Sequence, residues 1–179
     1  KFDKRSQKKI DKHKEKTKTL IKNAEARVNS INNEIENKGD KAPTHAQTDE
    51  LANLENTIIE LNTALTEIGE METDNQLFRV GRLFSMSGKV GETYYDANST
   101  KKDKAVVIKY KGGTGTLAHE LKHGHQFLKK KLSFNADDGG PGYLHDAQDE
   151  SEAYTRESYY TGDVSIRKLD ADAIRSRST

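Results

Sequence analysis

Apolar or small side chains at Ile10, Thr17, Ile21, Ala24, Val28, Ile31 and Ile35 recur with heptad-like spacing, which puts them on one stripe of a helix. Gly39 and Pro43 interrupt that helix. A second stripe runs through Leu51, Leu54, Ile58, Leu61, Leu65 and Ile68, so the spacing predicts two helices joined by a short loop. Each is too amphipathic to stand alone. The economical arrangement is a coiled-coil-like antiparallel hairpin that buries Ile31 and Ile35 against Leu51 and Leu54 near the loop. Thr48 or Asp49 is the expected N-terminal cap of the second helix.

After Gly69 the period shortens towards two, aromatic and β-branched residues appear, and glycines punctuate the chain. This pattern predicts short strands at 76–84, 90–95 and 104–110. The last is the clearest, because Ala105, Val106, Val107 and Ile108 form a continuous apolar run. Asn98, Ser99 and Thr100 supply a turn that makes a hairpin of the second and third strands. Gly112, Gly113 and Gly115 end the last strand, and with Thr114 or Thr116 as cap a helix is expected through Leu117 to about residue 131. A glycine- and proline-containing loop at 137–142 precedes a final helix that starts near Asp146 and ends before Gly162. The expected fold class is α+β. An antiparallel helical hairpin over residues 1–72 is followed by a small domain over residues 73–179, with a short antiparallel sheet and two helices that carry the chemistry.

Composition narrows this picture. Charged residues make up 33% of the chain and hydrophobic residues 32%, so a large core cannot run through its whole length. No stretch approaches the ~20 apolar residues that span a bilayer, and the start lacks the apolar segment of a signal peptide. No transmembrane segment is therefore expected. Lys1 in the place of an initiating Met fits a piece of a longer polypeptide or a processed product. Residues 1–22 carry ten Lys or Arg and three acids. Without interleaved aromatics such a run reads as the solvated face of a helix, so nucleic acid is not an expected partner.

The candidate chemistry lies at His119-Glu120-Leu121-Lys122-His123. With no cysteine in the chain, a metal must be held by imidazole and carboxylate. Two histidines four residues apart on a helix project from one face about one turn apart, so His119 and His123 can bring a ring nitrogen each to one ion. Glu120 leans to the side of the pair, where its carboxylate can reach a metal-activated water as general base. Six histidines and fifteen glutamates placed at random in 179 residues would generate this pattern only about 0.02 times. A catalytic zinc site uses three protein ligands and leaves a position for water. His125 points away from the pair, so the third ligand is sought in the acidic cluster Asp146, Asp149, Glu150 and Glu152. Glu152 is preferred, because its neighbour Ala153 is small enough to let two helices approach closely; Asp149 comes next. Asp149, Ala153 and Arg156 would lie beside Glu152, and Asp149 could orient a histidine ring through its free nitrogen.

His119-Glu120-x-x-His123 followed by a helix with Glu152-Ala153 resembles the gluzincin branch of zinc metallopeptidases. Gln126 and Lys129 stand where a metzincin has glycine and histidine, so that subclass is excluded. The segment Leu117-Ala118-His119-Glu120-Leu121-x-His123-Gly124-x-Gln126, with the later Asp149-Glu150-x-Glu152-Ala153-Tyr154, is similar to zincin-type peptidase domains at the C-terminal ends of bacterial Rhs and other polymorphic-toxin proteins. The likeness covers about residues 77–160 and does not extend to the basic hairpin. It implies a zincin-like domain that binds Zn2+ and hydrolyses peptide bonds in a protein or peptide substrate. For a toxin domain it also implies delivery within a larger bacterial protein and an immunity or regulatory protein as partner. The strand at 104–110 would then bind substrate as an added strand, and an oxyanion stabiliser is sought among Tyr143, His145, Tyr154 and Tyr159. A non-catalytic interaction module, stapled by zinc and docking through the hairpin, is the alternative.

Overall fold

The computed structural model describes residues 1–39, 42–84, 89–96, 104–132, 147–167, 169, 173 and 174. The α+β organisation is present, with α1 (Lys4–Glu36) and α2 (His45–Thr73) first, then β1 (Leu77–Arg82), β2 (Gly91–Asp96) and β3 (Ala105–Tyr110). They are followed by α3 (Thr114–Leu128), α4 (Ala147–Thr161) and a 3₁₀ turn at Val164–Ile166.

Two helix starts differ from the expectation. Helix α2 is capped one turn early, by Thr44 rather than Thr48 or Asp49. The Thr44 hydroxyl accepts the Gln47 N–H at 3.3 Å while Gln47 Oε1 accepts the Thr44 N–H at 3.1 Å. That reciprocal pair satisfies two otherwise orphaned donors, which no single side chain further on can do. Helix α3 begins at Thr114 itself, so neither Thr114 nor Thr116 caps it; Gly113 takes the cap position without a side-chain bond.

The predicted seam of α1 is buried at Ile10, Thr17, Ile21, Ala24 and Ile31, and α2 buries Leu61, Ala64, Ile68 and Met71. Ile35, Leu51 and Leu54, expected to seal the loop end, are only half-buried. The tight end is the opposite one, because the sheet and α3 pack there. Phe2, Ile10, Ile68 and Met71 share one core with Phe78, Val106, Ile108, Leu117 and Leu121. The change of secondary structure near residue 72 is real, and the core runs across it.

The sheet has the order β1-β3-β2. The expected hairpin of β2 and β3 forms, with Gly91 opposite Tyr110, while its turn at Asn98, Ser99 and Thr100 lies outside the described residues. Strand β1 runs parallel to β3, with Leu77 opposite Ala105, so the sheet is mixed rather than antiparallel. Strand β3 is therefore central, with both edges used, and cannot accept an added strand as the resemblance implied. The outer edge of β1 is also occupied. Phe78 donates its N–H to the Lys1 carbonyl at 2.8 Å, and Val80 donates to Ser6 Oγ at 2.7 Å. Among the described residues, β2 is left with an edge that no strand covers.

Helix α3 lies between this sheet, the hairpin and α4, and nearly all its residues from Leu117 to Gln126 are buried. Gly124 permits the approach, since a Cβ there would stand 2.9 Å from Met71 Cε and 3.0 Å from Ile108 Cδ1.

Candidate metal centre

The helical spacing of His119 and His123 does what it predicted. Their Nε2 atoms lie 3.1 Å apart with the rings nearly edge-on, at 80°. Across from them, Glu150 of α4 places Oε2 at 3.4 Å from His119 Nε2 and Oε1 at 3.6 Å from His123 Nε2. A tetrahedral ion with N and O ligands at 2.0–2.1 Å has ligand-to-ligand edges of about 3.3–3.4 Å. The three measured separations come near that value, so His119, His123 and Glu150 could hold a metal ion. A donor set of two imidazoles and one carboxylate is one that divalent transition metals, zinc among them, accept.

The structure thus brings Glu150, not Glu152, to the histidine pair. Ala153 is fully buried between the helices, as its size suggested. The side chains that flank such a contact are those three or four positions away, here Asp149, Glu150, Arg156 and Glu157, and of these Glu150 and Glu157 meet the histidines. Glu152, one residue before Ala153 and so about 100° round the helix from it, turns to Lys122 Nζ at 3.4 Å, Lys131 Nζ at 3.7 Å and Gln126 Nε2 at 3.3 Å. Asp149 is buried and contributes its carbonyl, which accepts from Gln126 Nε2 at 3.0 Å. Asp146 falls outside the described residues.

No protein-family model, no curated protein and no solved structure matches the chain. The site is accordingly read from its own geometry.

The ring nitrogens that face away from the cluster have partners the sequence did not single out for the role. His123 Nδ1 meets Gln126 Oε1 at 2.8 Å, and Glu157 Oε2 lies 3.3 Å from His119 Nδ1, without hydrogen-bond geometry, as an ion pair of the protonated ring. Burial disfavours the charged His119 ring, yet Glu150, Glu157 and Glu120 outweigh it and hold the imidazolium up to about 10. For Glu150, burial likewise opposes the charge, and contact with His119 and His123 brings the carboxyl down to about 2.

Glu120 is buried beside the pair, against β2. Thr93 Oγ1 donates to its Oε2 at 2.7 Å. Its carboxylate rests on the bare Cα of Gly91, where any Cβ would collide with Oε1 and Cδ. Burial pushes the Glu120 carboxyl above the usual carboxylate range, and His119, His123 and Thr93 only partly oppose this. A carboxylate with raised proton affinity, aimed beside a prospective ion, has the character of a general base. Gly91, Thr93, Gln126 and Glu157 were all missed as site residues. A glycine inside a strand is the one available signal, since it often marks a close approach.

His125 turns away from the cluster, as expected, and bonds Glu70 Oε2 at 2.7 Å. Of the aromatic candidates, Tyr154 packs edge-on to His119 with centroids 4.7 Å apart, whereas Tyr159 stacks under Arg167. Tyr143 and His145 lie outside the described residues. No helix among the described residues is long and apolar enough to cross a membrane.

Proposed function

We propose that the chain is a zinc-dependent peptidase, with His119, His123 and Glu150 as metal ligands and Glu120 as general base. The observation that carries this reading is the convergence of two imidazoles and a carboxylate within 4.8 Å of one another, with Glu120 buried alongside. A structural metal site has no need of such a second, non-ligating carboxylate. When bound, zinc supplies a Lewis acid and acidifies water, from a pKa of 15.7 towards about 7.

The rest of the chemistry belongs to the chain. Thr93 Oγ1 occupies Oε2 of Glu120, which leaves Oε1, over Gly91, to take a proton. Its raised affinity lets the carboxyl keep that proton long enough to hand it to a leaving amine. The uncovered edge of β2 supports an extended peptide as substrate, because main-chain bonding to a strand edge is independent of side-chain identity. β2 also carries Gly91 and Thr93, so a peptide there would pass beside Glu120. The likeness of 117–126 and 149–154 to peptidase domains of polymorphic toxins supports a toxin role, with an immunity or regulatory protein as partner.

The test is metal content of the purified protein together with hydrolysis of mixed peptides. Zinc near one equivalent and cleavage that vanishes in Glu120→Gln, with zinc retained, is the expected result. Unchanged cleavage in Glu120→Gln would sink the assignment of the base. Zinc without any cleavage would leave an ion that merely staples α3 to α4.

A further inference from the structure

We infer that Gln126 is a positioning residue that sets the tautomer of His123, and that Glu152 and the Asp149 carbonyl set Gln126 in turn. The inference rests on His123 being a metal ligand. Gln126 is 1% exposed, one turn after His123, and its side-chain amide spans α3 and the start of α4. One end of that amide faces two groups that can only accept: the Asp149 carbonyl at 3.0 Å and the Glu152 carboxylate at 3.3 Å. An amide oxygen there would meet two other oxygens, so the NH2 end must point at them. The oxygen end is thereby fixed against His123 Nδ1, at 2.8 Å. An amide oxygen accepts and cannot donate, so His123 carries a hydrogen on Nδ1, and in the neutral, metal-binding form of the ring its lone pair is on Nε2.

That lone pair points into the cluster, at the nitrogen 3.1 Å from His119 Nε2. The opposite tautomer would aim a hydrogen at the place a cation must occupy. Glu152, which binds no metal in this arrangement, therefore contributes to the site through the amide it holds. The same amide joins His123 to the residue next to Glu150, so one side chain keeps two ligands from different helices in register. A neutral amide in this place adds no charge to a cluster that already contains Glu120, Glu150 and Glu157.

The test is read on the full chain in two ways. In metal-free protein, the ring 15N shifts of His123 in its neutral form should report hydrogen on Nδ1. In Gln126→Leu and in the size-conserving Gln126→Met, zinc affinity measured against a chromophoric chelator should fall about 10- to 100-fold. The Nδ1-protonated form of His123 should lose its dominance in both. Hydrogen on Nε2 of His123 in the wild-type protein overturns the inference, and needs no variant to fold. So does wild-type zinc affinity in both variants. Absence of zinc binding by the wild-type protein would instead remove the peptidase reading, while the nitrogen shifts still decide the role of Gln126.

Discussion

Glu120, the proposed general base, illustrates how far the placement of a buried carboxylate is decided by a neighbour with no side chain. Its carboxylate occupies the space a Cβ of residue 91 would fill. Gly91→Ala should displace it and lower hydrolysis by roughly 10²-fold, the scale of a 1 Å misplacement. Zinc content should stay at the wild-type level, since the three atoms nearest a residue-91 Cβ all belong to Glu120; a matching loss of zinc would mean that the strand supports the ligands and not the base. The two acids of α4 separate cleanly by the same measurement. Glu150→Ala should weaken zinc binding by more than the ~10- to 100-fold expected when an outer partner such as Glu152 is lost. Equal losses from Glu150→Ala and Glu152→Ala, in a chelator competition, would count against the geometry. The histidine pair was legible in the sequence because one helix carries both rings. The choice among Asp149, Glu150 and Glu152 was not, because it depends on which side of α4 faces α3.

That orientation is an element-scale property, and Arg156 does much to set it. On α4, three residues past Ala153, Arg156 is 2% exposed and reaches across to α2, with Nε 2.5 Å from Glu60 Oε1 and Nη1 2.9 Å from Glu67 Oε2. Lys122 of α3 meets Glu67 at 2.8 Å, so one carboxylate joins three helices. Burial alone would raise the Glu67 carboxyl, and Arg156 and Lys122 together bring it below the ordinary range. Arg156→Met fills the space but leaves Glu67 without its main counter-charge. It should cost about 3–5 kcal/mol of stability in urea denaturation, as removal of one partner from a buried pair does. A change under about 1 kcal/mol would show the network to be surface-like. The sequence placed Arg156 beside the acidic cluster; its partners, 96 and 89 positions earlier, carry no local signal.

At the scale of the whole molecule, the hairpin is bound to the rest through groups that titrate. His13 of α1 is buried, stacked on Tyr160 of α4 with centroids 5.2 Å apart. Burial, followed by Lys16 and Arg156, lowers its pKa to about 4. The unfolded chain, with an ordinary histidine near 6.5, therefore binds the proton first as pH falls. Folding loses stability from about pH 6.5 downwards, and the loss levels off below about pH 4 at something like 3 kcal/mol. Urea midpoints of wild-type protein and His13→Gln at pH 7.5 and 4.5 should diverge accordingly, with the variant showing the smaller decrease. Identical pH dependence would show that His13 is not the group responsible. Metal removal acts at this scale as well. A ligand present at a hundred times its Kd stabilises the folded state by about 2.7 kcal/mol, so chelation should lower the melting temperature of zinc-loaded protein by the corresponding amount. A melting temperature that ignores the chelator would speak against a bound ion.

Periodicity sufficed for the elements themselves: the two long helices, three strands and two short helices fall within a few residues of their predicted positions. It sufficed also for the pairing of His119 with His123, because burial stripes, turns and an i, i+4 chelate all depend on residues close together in the chain. Tertiary structure alone decided that β1 lies parallel to β3, that β2 keeps an edge no strand among the described residues covers, and that Glu150 and Glu157 face the histidines while Glu152 faces Lys122 and Lys131. Those outcomes depend on how whole elements rotate and dock against one another. Their rotation is set by the summed packing of residues such as Ala153, Gly124 and Arg156 against distant partners, which no local pattern records.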